Sequence, residues 1–182
     1  IHFQKCMSTI LSGLPATHVM AYQDDALIPA KNWPEMRIKM SEVFSRLKGA
    51  GLRIHARKCA WAVDRIKFLG HIWSKDGLSV DESKIEIIKN YARPKDPKQT
   101  KSYLGLISYY RKFCPGFAQL TAPLRKLTQK DTKFVWSSEA ENSSFIKTKE
   151  HLANSVTLKF PDFNKEMWVS TDSSVDGLGY II

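Results

Sequence analysis

Two consecutive carboxylates, Asp24 and Asp25, follow an apolar stretch and a tyrosine, Tyr22, and precede another apolar stretch. Carboxylates about 4 Å apart in a medium of effective dielectric about 20 repel by roughly 4 kcal/mol. A turn that holds them together therefore favours a shared proton or a bound cation. Mg²⁺ takes carboxylate oxygens and leaves positions open for phosphate oxygens. Two such ions can serve an in-line phosphoryl transfer. Taken singly, an Asp-Asp turn is more often solvated surface, because Asp is a common turn residue.

Two further groupings could carry chemistry. Lys101, Gly105, Tyr109 and Lys112 are spaced four, four and three apart, which puts them on one stripe of a helix. A stripe with a missing side chain, an aromatic ring and flanking cations lets a helix lie close to a nucleic-acid groove. Tight helix–helix packing at Gly105 is the other reading. Asp172 ends an apolar strand and is followed by Ser173, Ser174, Gly177 and Gly179. An Asp on a strand is unfavourable unless something binds it; capping of a turn is the plainer explanation.

The elements that must position these groups are legible in outline. Residues 18–22 and 26–28 read as strands around a turn at Gln23-Asp24-Asp25. Residues 31–48 read as a helix, with Pro34 in its first turn, an apolar face of Met36, Met40, Val43, Phe44 and Leu47, and a stop at Gly49 and Gly51. Strands are expected at 52–55, 60–63 and 66–74, with a turn at Lys75-Asp76-Gly77. Asp81 can cap a helix to about residue 90. The two prolines of 93–97 suggest a hinge. A helix then starts with Asp96 as cap, Pro97 and Gln99, and runs to about residue 113. A shorter basic helix is expected over 118–127, and the Ser138/Glu141 capping box opens another through about 152. Strands follow at 156–160, 167–171 and 178–182.

Bulk properties narrow the class. The 182 residues are 43% hydrophobic and 25% charged, which is globular composition. No apolar run approaches the roughly 20 residues that span a bilayer. Residues 1–133 carry 24 Lys and Arg against 11 Asp and Glu, so the +10 net charge is concentrated there and suits a polyanionic partner. Cys6, Cys59 and Cys114 form no paired spacing, which fits a reducing compartment. His55 and Cys59 lack a second ligand pair, so zinc is not expected. Ile1 at the start and the apolar run 178–182 at the finish suggest that both ends are cut.

Read in order, the chain resembles the polymerase polyprotein of LTR retrotransposons, most closely the gypsy type, and retroviral-like relatives. Phe3-Gln4 and Ala21-Tyr22-Gln23-Asp24-Asp25-Ala26-Leu27 resemble that family's Phe-Gln lead and Tyr-x-Asp-Asp box. Phe68-Leu69-Gly70-His71-Ile72, with Ser74, Lys75 and Gly77, resembles the strand pair that holds the primer end. Residues 102–113 resemble the thumb helix. Thr121-Ala122-Pro123-Leu124, Phe134 with Trp136, and Phe160-Pro161-Asp162-Phe163 resemble the tether. Thr171-Asp172-Ser173-Ser174 with Gly177-Leu178-Gly179 resembles the opening of a ribonuclease H domain.

The resemblance implies an α+β chain divided into four parts. Residues 1–80 would be the C-terminal part of a reverse-transcriptase palm and 81–128 a helical thumb. Residues 129–155 would be a tether, and 156–182 the start of a ribonuclease H-like mixed sheet. It implies RNA-directed DNA polymerase and ribonuclease H activities in a longer parent, with Mg²⁺ (or Mn²⁺) as cofactor. Asp24, Asp25 and Asp172 would be catalytic metal ligands. Tyr22, Phe68, Leu69, Gly70, His71, Lys101, Gly105, Tyr109 and Lys112 would contact primer-template. RNA template, DNA primer, RNA–DNA hybrid and deoxynucleoside triphosphates would be the partners, with no membrane. The setting would be intracellular, in a cytoplasmic virus-like particle or the nucleus.

In the family the third polymerase carboxylate precedes the position of Ile1, and three nuclease carboxylates follow that of Ile182. Residues 1–182 alone are therefore expected to be inactive. Ser173 stands where the family more often has Ala, Ala26 where it more often has Ile, and Ala21 is smaller than usual. A non-catalytic nucleic-acid-binding remnant of a decayed or domesticated retroelement is the alternative reading. An unrelated basic α/β domain would leave the ordered motifs unexplained.

Overall fold

A computed structural model describes residues 2–130, 132–136, 139–162, 164–174 and 177–181. The chain divides into two compact units, Ile1–Lys75 with Asp81–Lys84, and Asp76–Val80 with Ile85–Ile182.

The first unit is built around one helix. α2 (Trp33–Gly49) starts where Asn32 Oδ1 accepts from Glu35 N at 3.0 Å, with proline in its first turn. Gly51, with φ of +74°, follows its end. Val43 and Leu47 of α2 are buried with Met7 and Leu11, which come from α1 (His2–Ile10) and the residue after it. The strands β1 (Met20–Tyr22) and β2 (Asp25–Leu27) pair antiparallel, Tyr22 opposite Asp25. Val19, Ala21 and Ile28 pack into the same core, which seats the hairpin on α1 and α2. β3 (Arg65–Phe68) and β4 (His71–Ser74) form a second antiparallel hairpin, Phe68 opposite His71.

The second unit contains β5 (Gly77–Val80), most of α3 (Glu82–Lys89), α4 (Pro97–Ser108), α5 (Phe117–Lys126), α6 (Glu139–Ala153), β6 (Ser170–Ser174) and β7 (Gly177–Ile181). Asp81 caps α3 as expected, its Oδ1 accepting from Ser83 N and from Lys67 Nζ, both at 3.0 Å. Asp96 caps α4, accepting from Gln99 N at 2.7 Å, while Gln99 Oε1 accepts from Lys95 N at 2.9 Å. Ile88, Tyr103, Ile107, Leu124 and Leu152 are fully buried and form the core of the helical part. Tyr103 packs on Tyr91 and Phe145 with ring centroids 5.0 and 4.7 Å away.

Thr148 Oγ1 donates to Phe145 O at 3.0 Å, which leaves the Tyr103 hydroxyl to donate in its 2.7 Å bond to Thr148. Burial pushes the Tyr103 phenol up to about 12 from its ordinary value of 10. Its stabilising contribution is therefore complete below pH about 10 and is lost as pH rises toward about 12. The steepest loss from this one group is about 1.4 kcal/mol per pH unit. Urea unfolding across that window should show a steeper decline for the parent protein than for Tyr103→Phe. Equal slopes would mean that the phenol ionises alike in the folded and unfolded chains.

Several expectations from sequence are corrected. Residues 52–55 and 60–63 form no strand: a 3₁₀ turn, Ala56–Lys58, lies between them and Ala62 has φ of +48°. Ile54 and Val63 are exposed, and among the described residues no strand pairs with either stretch. The single strand expected over 66–74 is two, because Leu69 and Gly70 both take positive φ (+49° and +69°) and reverse the chain.

The helix from Pro97 ends at Ser108, and Arg111–Phe113 is a separate 3₁₀ turn that buries Tyr110 and Phe113. The expected hinge is strapped down rather than loose. Pro94 is fully buried, Arg93 lies 5.1 Å from the Trp136 ring centre and donates to Trp136 O, and Lys149 Nζ donates to Lys89 O and Tyr91 O. Of strand 156–160 only a bridge at Leu158 forms, and residues 167–169 are outside any strand. α1 had no counterpart in the sequence reading. Ser138, half of the expected capping box, lies outside the described residues, as does Ile182 of the expected last strand.

Candidate functional site

The first hairpin presents its acidic pair openly. Tyr22 and Asp25 close the ladder, so the loop between the strands is Gln23 and Asp24 alone. Asp24 stands in that two-residue loop and Asp25 opens β2, a tighter arrangement than the three-residue turn read from sequence. Both carboxylates are exposed, and Tyr22 beside them is 51% exposed. Gln23 has φ of +53°, the left-handed region, at the first loop position where hairpins favour glycine. The turn is held in that shape from below. Gln4 on α1 donates from Nε2 to Ala21 O at 3.4 Å and accepts at Oε1 from Gln23 N. Gln4 of the Phe-Gln pair near the start of the chain thus has a physical task, which its sequence position alone did not assign.

Two adjacent, solvent-facing carboxylates offer hard oxygen ligands with room beside them for waters and phosphate oxygens, the donor set Mg²⁺ uses. Among the described residues, no group of three or more His, Cys, Asp and Glu gathers around one point. The second hairpin is built differently. Phe68 and His71 are buried, His71 Nδ1 donates to Leu69 O at 2.7 Å, and Trp73 Nε1 donates to Phe68 O at 3.3 Å. The turn Leu69-Gly70 is thus flanked by two anchored neighbours.

In the second unit, α4 carries Lys101 and Gly105 on its exposed side, and Tyr109, just after its end, is 54% exposed. A Cβ added at Gly105 would meet no atom within 4 Å. Among the described residues, then, no helix packs against this glycine. Lys112 leaves the stripe for the 3₁₀ turn, with Nζ 5.3 Å from the Phe113 ring centre, and partial burial holds its ammonium below the usual lysine range. Asp172 lies in the middle of β6, opposite Gly179, rather than at a strand end. Lys39, which the sequence reading passed over, is 93% buried by accessible area; its signal was its place one helical repeat before Val43 and Leu47 on the buried row of α2.

Comparison with known proteins follows the same line. Residues 1–73 match the family described as reverse transcriptase (RNA-dependent DNA polymerase). The retrovirus-related Pol polyprotein from transposon 412 of Drosophila melanogaster is 30% identical over 180 residues, 99% of the chain. Residues 1–73 belong to the reverse-transcriptase family, and the whole segment is similar to the polyproteins of LTR retroelements.

The transposon Tf2-3 polyprotein of Schizosaccharomyces pombe is 32% identical over 181 of the 182 residues. The chain spans 14% of the length of each of these two relatives. Among solved structures, the foamy viral protease-reverse transcriptase in complex with double-stranded DNA superposes with a TM-score of 0.81 at 24% identity, covering 95% of this chain and 30% of that one. The same enzyme in complex with an RNA/DNA hybrid gives 0.76 at 25% identity, covering 93% and 23%. The α+β fold of a reverse transcriptase is thus shared along nearly the whole segment. No described helix is long and apolar enough to cross a membrane.

Proposed function

We propose that the protein containing this chain is an RNA-directed DNA polymerase with an attached ribonuclease H, and that Asp24 and Asp25 are two of its polymerase metal ligands. The observation that carries the reading is the exposed Asp24-Asp25 turn, seated on α1 and α2 within a segment that aligns end to end with retroelement polyproteins. Mg²⁺ (or Mn²⁺), when bound, supplies Lewis-acid stabilisation of charge on the attacking and leaving oxygens. The chain's own residues do the rest. The two carboxylates would hold the cation, Gln4 fixes the turn that displays them, and Tyr22 offers an aromatic face beside them.

Residues 1–80 would be palm, 81–128 thumb, 129–155 tether and 156–182 the start of the nuclease, with Asp172 its first metal ligand. Leu69 and Gly70, between the anchored Phe68 and His71, would meet the primer end. Template RNA, primer DNA, their hybrid and deoxynucleoside triphosphates would be the partners, in a cytoplasmic virus-like particle or the nucleus. The decisive experiment is primer extension on an RNA template by a longer polyprotein-derived enzyme that includes these residues. DNA synthesis is expected; a folded, duplex-binding enzyme that makes none would contradict the reading.

The open side of α4 gives a separate test on residues 1–182. Their affinity for RNA–DNA hybrid should fall with salt at a log–log slope of about −0.9 per phosphate neutralised. Lys101→Gln should flatten that slope by about one unit, and so should Lys112→Gln if the 3₁₀ turn after α4 also meets a phosphate. Gly105→Val should weaken binding by bulk, with the slope unchanged. A folded Gly105→Val protein that binds as well as its parent would show that α4 does not lie against the duplex.

A further inference from the structure

Lysine is among the side chains least often buried, and an unpaired buried ammonium tends to lose its proton. Lys39 is only 7% exposed, yet all three of its N–H donors have an acceptor. Nζ donates to Thr17 O at 2.6 Å and to Pro29 O at 2.8 Å, and pairs with Glu35 Oε1 at 2.8 Å. Thr17 lies just before β1 and Pro29 just after β2. One ammonium on α2 therefore grips both legs of the hairpin at its base.

Packing alone does not call for a lysine here. Val43 and Leu47 follow at four-residue intervals on the same buried row, and a leucine or methionine at position 39 would continue it. The charged group adds direction, since its bonds fix where each leg of the hairpin sits on the helix. Its partner is fixed in turn. Glu35 Oε2 accepts from Lys31 N at 2.8 Å, and the bond to Lys39 above all holds its carboxyl below the usual range. The brace thus runs from the start of α2 through Glu35 and Lys39 to both hairpin legs, and Gln4 holds the tip.

We propose that Lys39 is a positioning residue for the Asp24-Asp25 turn, setting the height of the two carboxylates by tying both hairpin legs to α2. This rests on the polymerase reading above. A shift of the base is carried to the tip because β1 and β2 are short and paired throughout. Misplacement of reacting groups by about 1 Å can cost on the order of 100-fold in rate.

The test uses the full polymerase that contains this chain and measures single-nucleotide incorporation per active site, with the active fraction taken from burst amplitude. Lys39→Met keeps the stem and removes the donors. Its incorporation rate should fall by about 10- to 100-fold, and its Mg²⁺ requirement should rise several-fold. Template-primer affinity should change far less than the rate, because of the duplex contacts assigned above only Tyr22 lies on this hairpin. Lys39→Arg, which restores charge and donors, should recover most of the rate. A purely structural lysine would lower thermal stability and active fraction only, so an unchanged rate and Mg²⁺ response per active site would overturn the proposal. If Lys39→Met does not fold, Glu35→Gln is read in the same assay, where a several-fold loss with a raised Mg²⁺ requirement is expected and no change overturns it. Asp25→Asn separates the two levels. Normal turnover in that variant would refute the polymerase site itself, whereas an inactive Asp25→Asn with a normal Lys39→Met would refute only the brace.

Discussion

Asp24→Asn and Asp25→Asn, each placed in the polymerase that contains this chain, should lose nucleotide incorporation while keeping affinity for template-primer. Loss of an outer-shell partner of a metal ligand costs about 10- to 100-fold, and loss of a ligand itself should exceed the upper figure. The amide is nearly isosteric and both positions are exposed at a hairpin tip, so the fold has no reason to suffer. Rate and duplex affinity are therefore expected to separate, which quench-flow incorporation and equilibrium binding would show. Normal turnover in both variants would remove the carboxylates from the chemistry.

The acidic turn was legible because strand, turn and strand each have local signatures. The core row of α2 was legible for a similar reason, its spacing and caps being local. The braces were not. Gln4 reaches Gln23 from 19 residues away, and Lys39 reaches Thr17 across 22, so their roles depend on how α1 and α2 are packed. Lys39 also reads as one more cation in a basic stretch until its burial is known. The strands at 52–55 and 60–63 failed for the complementary reason. Both stretches carry apolar residues, but among the described residues no strand pairs with them and Ile54 and Val63 stay exposed. The early end of α4 follows from Tyr110 and Phe113, which turn inward through a 3₁₀ turn instead of continuing the helical stripe.

A glycine-to-alanine change should have opposite signs at two positions of the second unit. Gly77 has φ of +130°, and a Cβ there would fall 2.1 Å from Leu158 O and 2.9 Å from Leu158 C. Those are backbone atoms of the bridge in which Leu78 and Leu158 exchange both hydrogen bonds at 2.8 Å. Gly77→Ala must strain the backbone, at about 1–3 kcal/mol, and push the bridge apart. Each of its two bonds is worth about 0.5–1.5 kcal/mol, so a total loss of about 2–6 kcal/mol is expected. Gly105→Ala meets open space on an exposed helix and should gain up to about 1 kcal/mol. Urea denaturation of residues 1–182 measures both. A neutral Gly77→Ala would mean that the bridge to Leu158 does not form in solution.

The most direct examination of the metal site does not depend on turnover. Fe²⁺ replaces Mg²⁺ at oxygen-ligand sites, and with ascorbate and peroxide it generates hydroxyl radicals that cut nearby backbone. Applied to the full polymerase with template-primer and nucleotide bound, it should cleave the chain within the segment Tyr22–Asp25. Excess Mg²⁺ should suppress that cut, and Asp25→Asn should abolish it. Cleavage elsewhere in the chain with none at this turn, or a cut at the turn that persists in Asp25→Asn, would contradict the assignment of Asp24 and Asp25 as the ligands of the catalytic cation.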